Sequence, residues 1–137
     1  MSFEGSTLVD WPVFQQARSE LGAGFVRILG YFREDGAKSV DAIEAAMRAH
    51  SAAALVNPAH KLKGEAAQFG ATPLANLAET IEEIARLCLE DHDTPEQALE
   101  HVVQLRPLFT QTLALLEREA NPLMERRPNT GFGRRPG

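Results

Sequence analysis

One cysteine in 137 residues excludes an internal disulfide, so a packed core has to hold this chain together. That cysteine, Cys88, keeps helical phase with Ile81 and Ile84 and reads as a small core residue rather than a nucleophile. Aromatics make up only 7% of the chain, and strand-like alternation of apolar and polar residues is nowhere sustained, which argues against a β-fold. No run approaches the roughly 20 apolar residues of a membrane span. Ser2–Asp10 carries acids and no long apolar stretch, so no signal peptide is read there and a cytoplasmic protein is expected. There is no glycine-rich phosphate loop and no serine or cysteine set beside a base, which leaves no means of binding ATP or of forming an acyl intermediate. His50, His92 and His101 show no metal-ligand spacing with one another or with the acids, so no metal is expected.

What the chain does have is ordinary for one soluble domain: 44% hydrophobic and 24% charged residues, rich in alanine, leucine and glutamate. The net charge of −5 is unevenly placed. Beyond Asn121, four arginines face one glutamate, a net +3, and leave −8 on the rest, which argues against a nucleic-acid surface on the body. The chain divides into a loose lead-in over 1–9, a helical domain over 10–120 and a disordered basic tail over 121–137.

Within the domain, Asp10-Trp11-Pro12 offers a helix start, and a short helix runs to about Leu21 with Trp11, Phe14 and Ala17 on its apolar side. A second carries Phe25, Ile28, Leu29 and Phe32 and ends at Gly36. Ser39 caps a third with Val40, Ile43 and Met47 inward. Ser51 starts a fourth helix, expected to continue with a kink at Pro58. Gly70 closes it, and Thr72-Pro73 caps the next, which buries Leu74, Leu77, Ile81, Ile84 and Cys88. Thr94-Pro95-Glu96-Gln97 reads as a capping box for the last helix, with Ala98, Val102, Leu105, Phe109, Leu113 and Leu116 inward. The fold class is all-α: an antiparallel four-helix bundle with one or two short extra helices on the N-terminal side.

The stretch from Ala59 to Gly70 organises the rest. Ala59, Leu62, Ala66 and Phe69 recur at steps of three and four and form an inward stripe, which turns His60, Lys63, Gly64 and Ala67 outward. Glycine in mid-helix costs about 1 kcal/mol relative to alanine, and room for a partner near the imidazole is a sufficient reason for it. Lys63 supplies positive charge where an anion would sit, and a neutral imidazole is a good nucleophile near neutral pH. Taken alone, His60 reads rather as a surface histidine with Lys63 near it by chance.

His60-Lys61-Leu62-Lys63-Gly64, with Gly70 beyond and then Leu74, Leu77 and Ile81-Glu82, resembles the histidine-containing phosphotransfer (HPt) family. The resemblance implies a four-helix bundle that relays phosphate between receiver-domain aspartates in two-component signalling. It implies receiver domains of a hybrid histidine kinase and a response regulator as partners. It also implies Mg²⁺ on the receiver, no cofactor of the chain's own, and a phosphocarrier without kinase activity. Trp11 and Phe14 would cap the bundle beside His60 and help form the docking surface. Many members have glutamine at the spacing of Glu82, and those of chemotaxis-type kinases have glutamate.

The hairpin between the fourth and fifth helices turns at Ala71, and His60 and Glu82 are equidistant from it, so they should lie level across the pair. Glu82 could then accept a hydrogen bond from one ring nitrogen and leave the other free to attack. The alternative places Glu82 and Glu79 on a solvated acidic face, or pairs them with Lys63. The expected function is a phosphorelay intermediate, taking a phosphoryl group on His60 from one receiver and passing it to another. Lys63 would offset charge, Gly64 give clearance and Glu82 orient the ring. A helical adaptor that binds a receiver or kinase without accepting phosphate is the alternative. A monomer is expected, with neither nucleic acid nor membrane as partner.

Overall fold

The computed structural model describes residues 7–120; the expected disordered tail, and the lead-in as far as residue 6, lie outside the described residues. The remainder of the lead-in is not loose. Leu8 and Val9 are buried, and Asp10 N–H donates to the Gly70 carbonyl at 2.7 Å. Burial of two apolar side chains outweighs the entropy of fixing that short segment. Asp10 then caps α1 (Trp11–Leu21) by accepting from Val13 N–H, with Pro12 in the first turn where its missing N–H costs nothing.

After a 3₁₀ turn at Gly22–Gly24, α2 runs unbroken from Phe25 to Arg48. This corrects the expected break at Gly36 and the separate helix capped by Ser39. Gly36 is a packing residue: a Cβ there would meet Phe109 Cε1 at 2.5 Å. The glycine lets an aromatic ring of the last helix lie against the α2 backbone, and that contact offsets the propensity cost. Ser39 is likewise buried inside the helix.

Ser51 caps α3 (Ala52–Gln68), its hydroxyl accepting from Ala54 N–H at 3.1 Å. Pro58 lies inside α3 without ending it; Leu55 and Ala59, on either side, are both fully buried. Core contact on both sides compensates for the one backbone bond the proline forfeits. Gly70, at φ 78°, ends the helix in a Schellman turn: Gly70 N–H donates to Ala67 O at 3.1 Å and Ala71 N–H to Ala66 O at 3.0 Å. The apolar contact of that turn needs Ala71 in the core, so Ala71 takes the N-cap position of α4 (Thr72–Glu90). Thr72 is therefore the first helical residue rather than the cap, and its hydroxyl reaches back to Gly70 O.

α4 buries Leu74, Ala75, Ala78, Ile81, Ala85 and Cys88, while Leu77 and Ile84 are half-buried. Its inward stripe is thus turned toward α3 relative to the expected one, and Glu82 is carried inward with it. The capping box at Thr94 does not form. The Thr94 hydroxyl pairs with the Glu96 carboxylate, which also takes His50 Nδ1 at 2.7 Å, and a 3₁₀ turn at Glu96–Ala98 leads into α5 (Leu99–Ala120).

Helices α2 to α5 form an antiparallel four-helix bundle, with α1 laid against α2 and α3. The pairing of α2 with α5 is fixed at two levels, by Arg33 bidentate to Glu117 and by Arg106 to Asp41 and Glu44. Edge-on and tilted ring contacts link Trp11, Phe14, Phe25, Phe69, Phe32 and Phe109 at centroid distances of 5.2 to 5.7 Å. Phe14 is fully buried in that series, so it supports the end of the bundle rather than a docking surface; Trp11 alone of the pair keeps exposed area.

Candidate functional site

Helices α3 and α4 pack more extensively against each other than any other pair. Both helices bury small residues: Ala59 and Ala66 on α3, and Ala75, Ala78 and Ala85 on α4. Alanine on both sides lets two helices approach closely, because the interaxial distance follows the side chains between them. Close approach and the Schellman turn together set the level of the two helices. His60 and Glu82 meet across the seam, with Nδ1 3.0 Å from Oε2, as the symmetry about Ala71 requires.

The two residues have opposite exposure. The His60 side chain is 62% exposed and that of Glu82 only 6%. Burial pushes the Glu82 carboxyl up, but contacts from Lys63, Arg86 and His60 outweigh it and hold the group at about 2. At neutral pH Glu82 is therefore ionised and can only accept hydrogen bonds. The proton between it and the ring must then belong to His60 Nδ1, which leaves Nε2 with a free lone pair. Glu82 does not belong to a solvated acidic face.

Lys63 Nζ lies 2.8 Å from Glu82 Oε1, close enough for a full ion pair although off the line of a hydrogen bond. That contact holds the Lys63 ammonium above its ordinary value. In this state the lysine is engaged with the carboxylate, next to the ring but not waiting free beside Nε2. Gly64 is exposed, and a Cβ built on it would meet nothing within 4 Å. No internal contact accounts for a glycine there, in contrast to Gly36.

Arg86 was not singled out by the sequence. Its Nε and Nη2 donate to Glu82 Oε2 at 3.0 and 2.8 Å. The signal for it was the glutamate-to-arginine step of four on one helix, which more often marks a solvated surface pair. Of the other histidines, His50 is tied to Glu96, and His101 lies 3.5 Å from Glu100. Among the described residues no group of three or more His, Cys, Asp or Glu could hold a metal ion. No described helix is long and apolar enough to cross a membrane.

The arrangement can therefore present one nucleophilic nitrogen, in one tautomer, on an open helix face above a buried anion. A family model described as Hpt domain matches residues 27–119, a span that holds His60, Lys63, Gly64, Glu82 and Arg86. Among solved structures, the fold is similar to that of histidine-containing phosphotransfer protein B (HptB) from Pseudomonas aeruginosa PAO1. The TM-score is 0.74 at 24% identity, over 84% of this chain and 96% of that one. No curated protein matches the chain.

Proposed function

The chain belongs to the Hpt domain family and is a phosphorelay intermediate that works with receiver domains; from that premise we propose that His60 is its phosphoacceptor, with Glu82 orienting the ring. The observation that carries this reading is the pairing of an exposed imidazole with a buried, ionised carboxylate on its Nδ1 side. In the proposed step, the Nε2 lone pair attacks phosphorus of a receiver aspartyl phosphate. The N–P bond forms as the P–O bond to the aspartyl carboxylate breaks, and that carboxylate leaves with the electron pair. The ring keeps its Nδ1 proton and becomes cationic. Glu82 stabilises that charge, and a cationic ring is the better leaving group when the phosphoryl passes to the next receiver.

Lys63, one turn from His60, offsets the phosphoryl charge, which requires it to turn from Glu82 Oε1 toward the phosphoryl oxygens. Gly64 gives the receiver room to bring its aspartate to the ring. The receiver supplies the Mg²⁺. The two receivers are those of a hybrid kinase and a response regulator, and the chain acts as a cytoplasmic monomer.

The test is incubation with labelled phosphorylated receivers, followed by mapping of the label. It should sit on His60, be lost in mild acid and survive base, and be absent from His60→Gln with the fold intact. Label persisting on that variant would move the site. A chain that binds receivers but never labels would be the adaptor instead.

A further inference from the structure

Three donors converge on one oxygen of Glu82. His60 Nδ1 and both Arg86 nitrogens contact Oε2, while Lys63 contacts only Oε1. The two cations differ in what they can do. An ammonium off the hydrogen-bond line supplies charge but little direction. A guanidinium donating through two nitrogens of its planar fork fixes where the accepting oxygen lies.

We propose that Arg86 is a positioning residue for His60: it aims Glu82 Oε2 at the ring, and through it sets which nitrogen is left free. The inference rests on the reading of His60 as phosphoacceptor, which it deepens. Arg86 donates to the carboxylate, and its effect on the ring passes through that oxygen.

The arrangement is unlike an ordinary surface pair of the same spacing. There, a solvated carboxylate turns freely and the pair adds little. Here the carboxylate is covered, its side chain 6% exposed, while the arginine that reaches it is 57% exposed. While the fork is in place the carboxylate meets little water, so its direction is set by its protein partners rather than by solvent. Without the fork on Oε2, the electrostatic optimum lies toward Lys63, and Oε2 is free to swing off the Nδ1–H direction. The ring, itself 62% exposed, then has no reason to keep its proton on Nδ1, because water can serve either nitrogen. Lys63 turning toward a phosphoryl group makes the demand sharper. During that turn Arg86 is the cation that remains on Glu82.

The experiment reads the His60 ring nitrogens by ¹⁵N NMR at neutral pH in the unphosphorylated protein, alongside phosphoryl acceptance from a labelled receiver. In the wild type one tautomer, protonated on Nδ1, is expected. In Arg86→Gln the Nε2-protonated tautomer should appear, and acceptance should slow on the order of tenfold, the scale of losing a hydrogen bond to a charged group. Arg86→Lys should recover the charge without the fork and leave the tautomers still mixed. An Arg86→Gln ring that stays in the wild-type tautomer overturns the proposal, whatever the transfer rate. So does an Arg86→Lys ring indistinguishable from wild type, since charge alone would then suffice. The NMR reading needs no phosphate: mixed tautomers in a protein that never labels would sustain the role of Arg86 and remove that of His60 as acceptor.

Discussion

The electrostatics of Glu82 make stability depend on pH in a way one substitution can isolate. Burial raises this carboxyl, and its contacts with Lys63, Arg86 and His60 bring it from 4.5 down to about 2. Taken whole, that difference amounts to about 3 kcal/mol of native-state stabilisation. The cover over Glu82 is shallow, however. The side chains above it are 30% exposed at Lys63, 57% at Arg86 and 62% at His60, so water screens the interaction, and about 1–2 kcal/mol is the better figure. The sign follows from the direction of the shift. The folded-state value is depressed, so the contribution is complete above the unfolded value of 4.5 and is lost as pH falls toward about 2. Glu82→Gln keeps an oxygen that can accept from His60 Nδ1 but has no proton to gain over this range. Urea unfolding of both proteins at pH 6, 4 and 3 should therefore give free-energy curves that converge as pH falls. The wild type should lose about 1 kcal/mol more than the variant between the ends of that series. Parallel curves would mean that Glu82 is not held ionised by its neighbours, and the proton between it and His60 could then sit on the carboxylate.

The two mid-helix glycines should respond to alanine with opposite signs. Gly64→Ala meets nothing within 4 Å and should raise stability by up to about 1 kcal/mol, seen as a higher urea midpoint. Gly36→Ala puts a methyl 2.5 Å from Phe109 Cε1 and should lower stability by about 1 kcal/mol or more, with Phe109→Leu relieving most of the added cost. Gly64→Gln should leave the fold intact and slow acceptance from a phosphorylated receiver; unchanged kinetics would mean that the glycine is not there for access.

The parts of this molecule that could be read from the sequence are those fixed by local periodicity. The inward stripe of Ala59, Leu62, Ala66 and Phe69 needs only the step of the helix, and it placed His60 outward correctly. The meeting of His60 and Glu82 needed one further fact, a tight turn at Ala71, and symmetry about that turn supplied it. Gly36 could not be read in the same way. Its reason is the Phe109 ring on another helix, and a glycine in a helical run otherwise looks like a stop. Thr72 looked like a cap because threonine before proline commonly is one, but the Schellman turn claimed the preceding alanine for its apolar contact. Arg86 was visible as a step of four from Glu82, yet its meaning depended on Glu82 being covered. That cover comes in part from His60 and Lys63 of α3, which reach Glu82 across the seam and which no local step on α4 shows.

The level of the site depends on a part of the chain that lies before the matched span. Helix α1 falls before residue 27, yet Asp10 N–H donates to the Gly70 carbonyl at 2.7 Å, and a Cβ on Gly70 would stand 2.6 Å from Asp10 O. The backbone before α1 therefore packs directly on the turn that joins α3 to α4. Only glycine allows that approach at a positive φ, and the Schellman bonds require the same φ. One residue thus ends α3, receives the start of α1 and sets the register between the two helices of the site. Each residue of slip in that turn would rotate α4 by about 100° against α3 and take Glu82 out of the seam. The contact between His60 Nδ1 and Glu82 thus rests on a backbone turn at the end of the bundle. Phe14 of α1 and Phe69, the C-cap residue of α3, both meet Phe25 edge-on, which ties the start of the chain and the end of α3 to the same ring of α2.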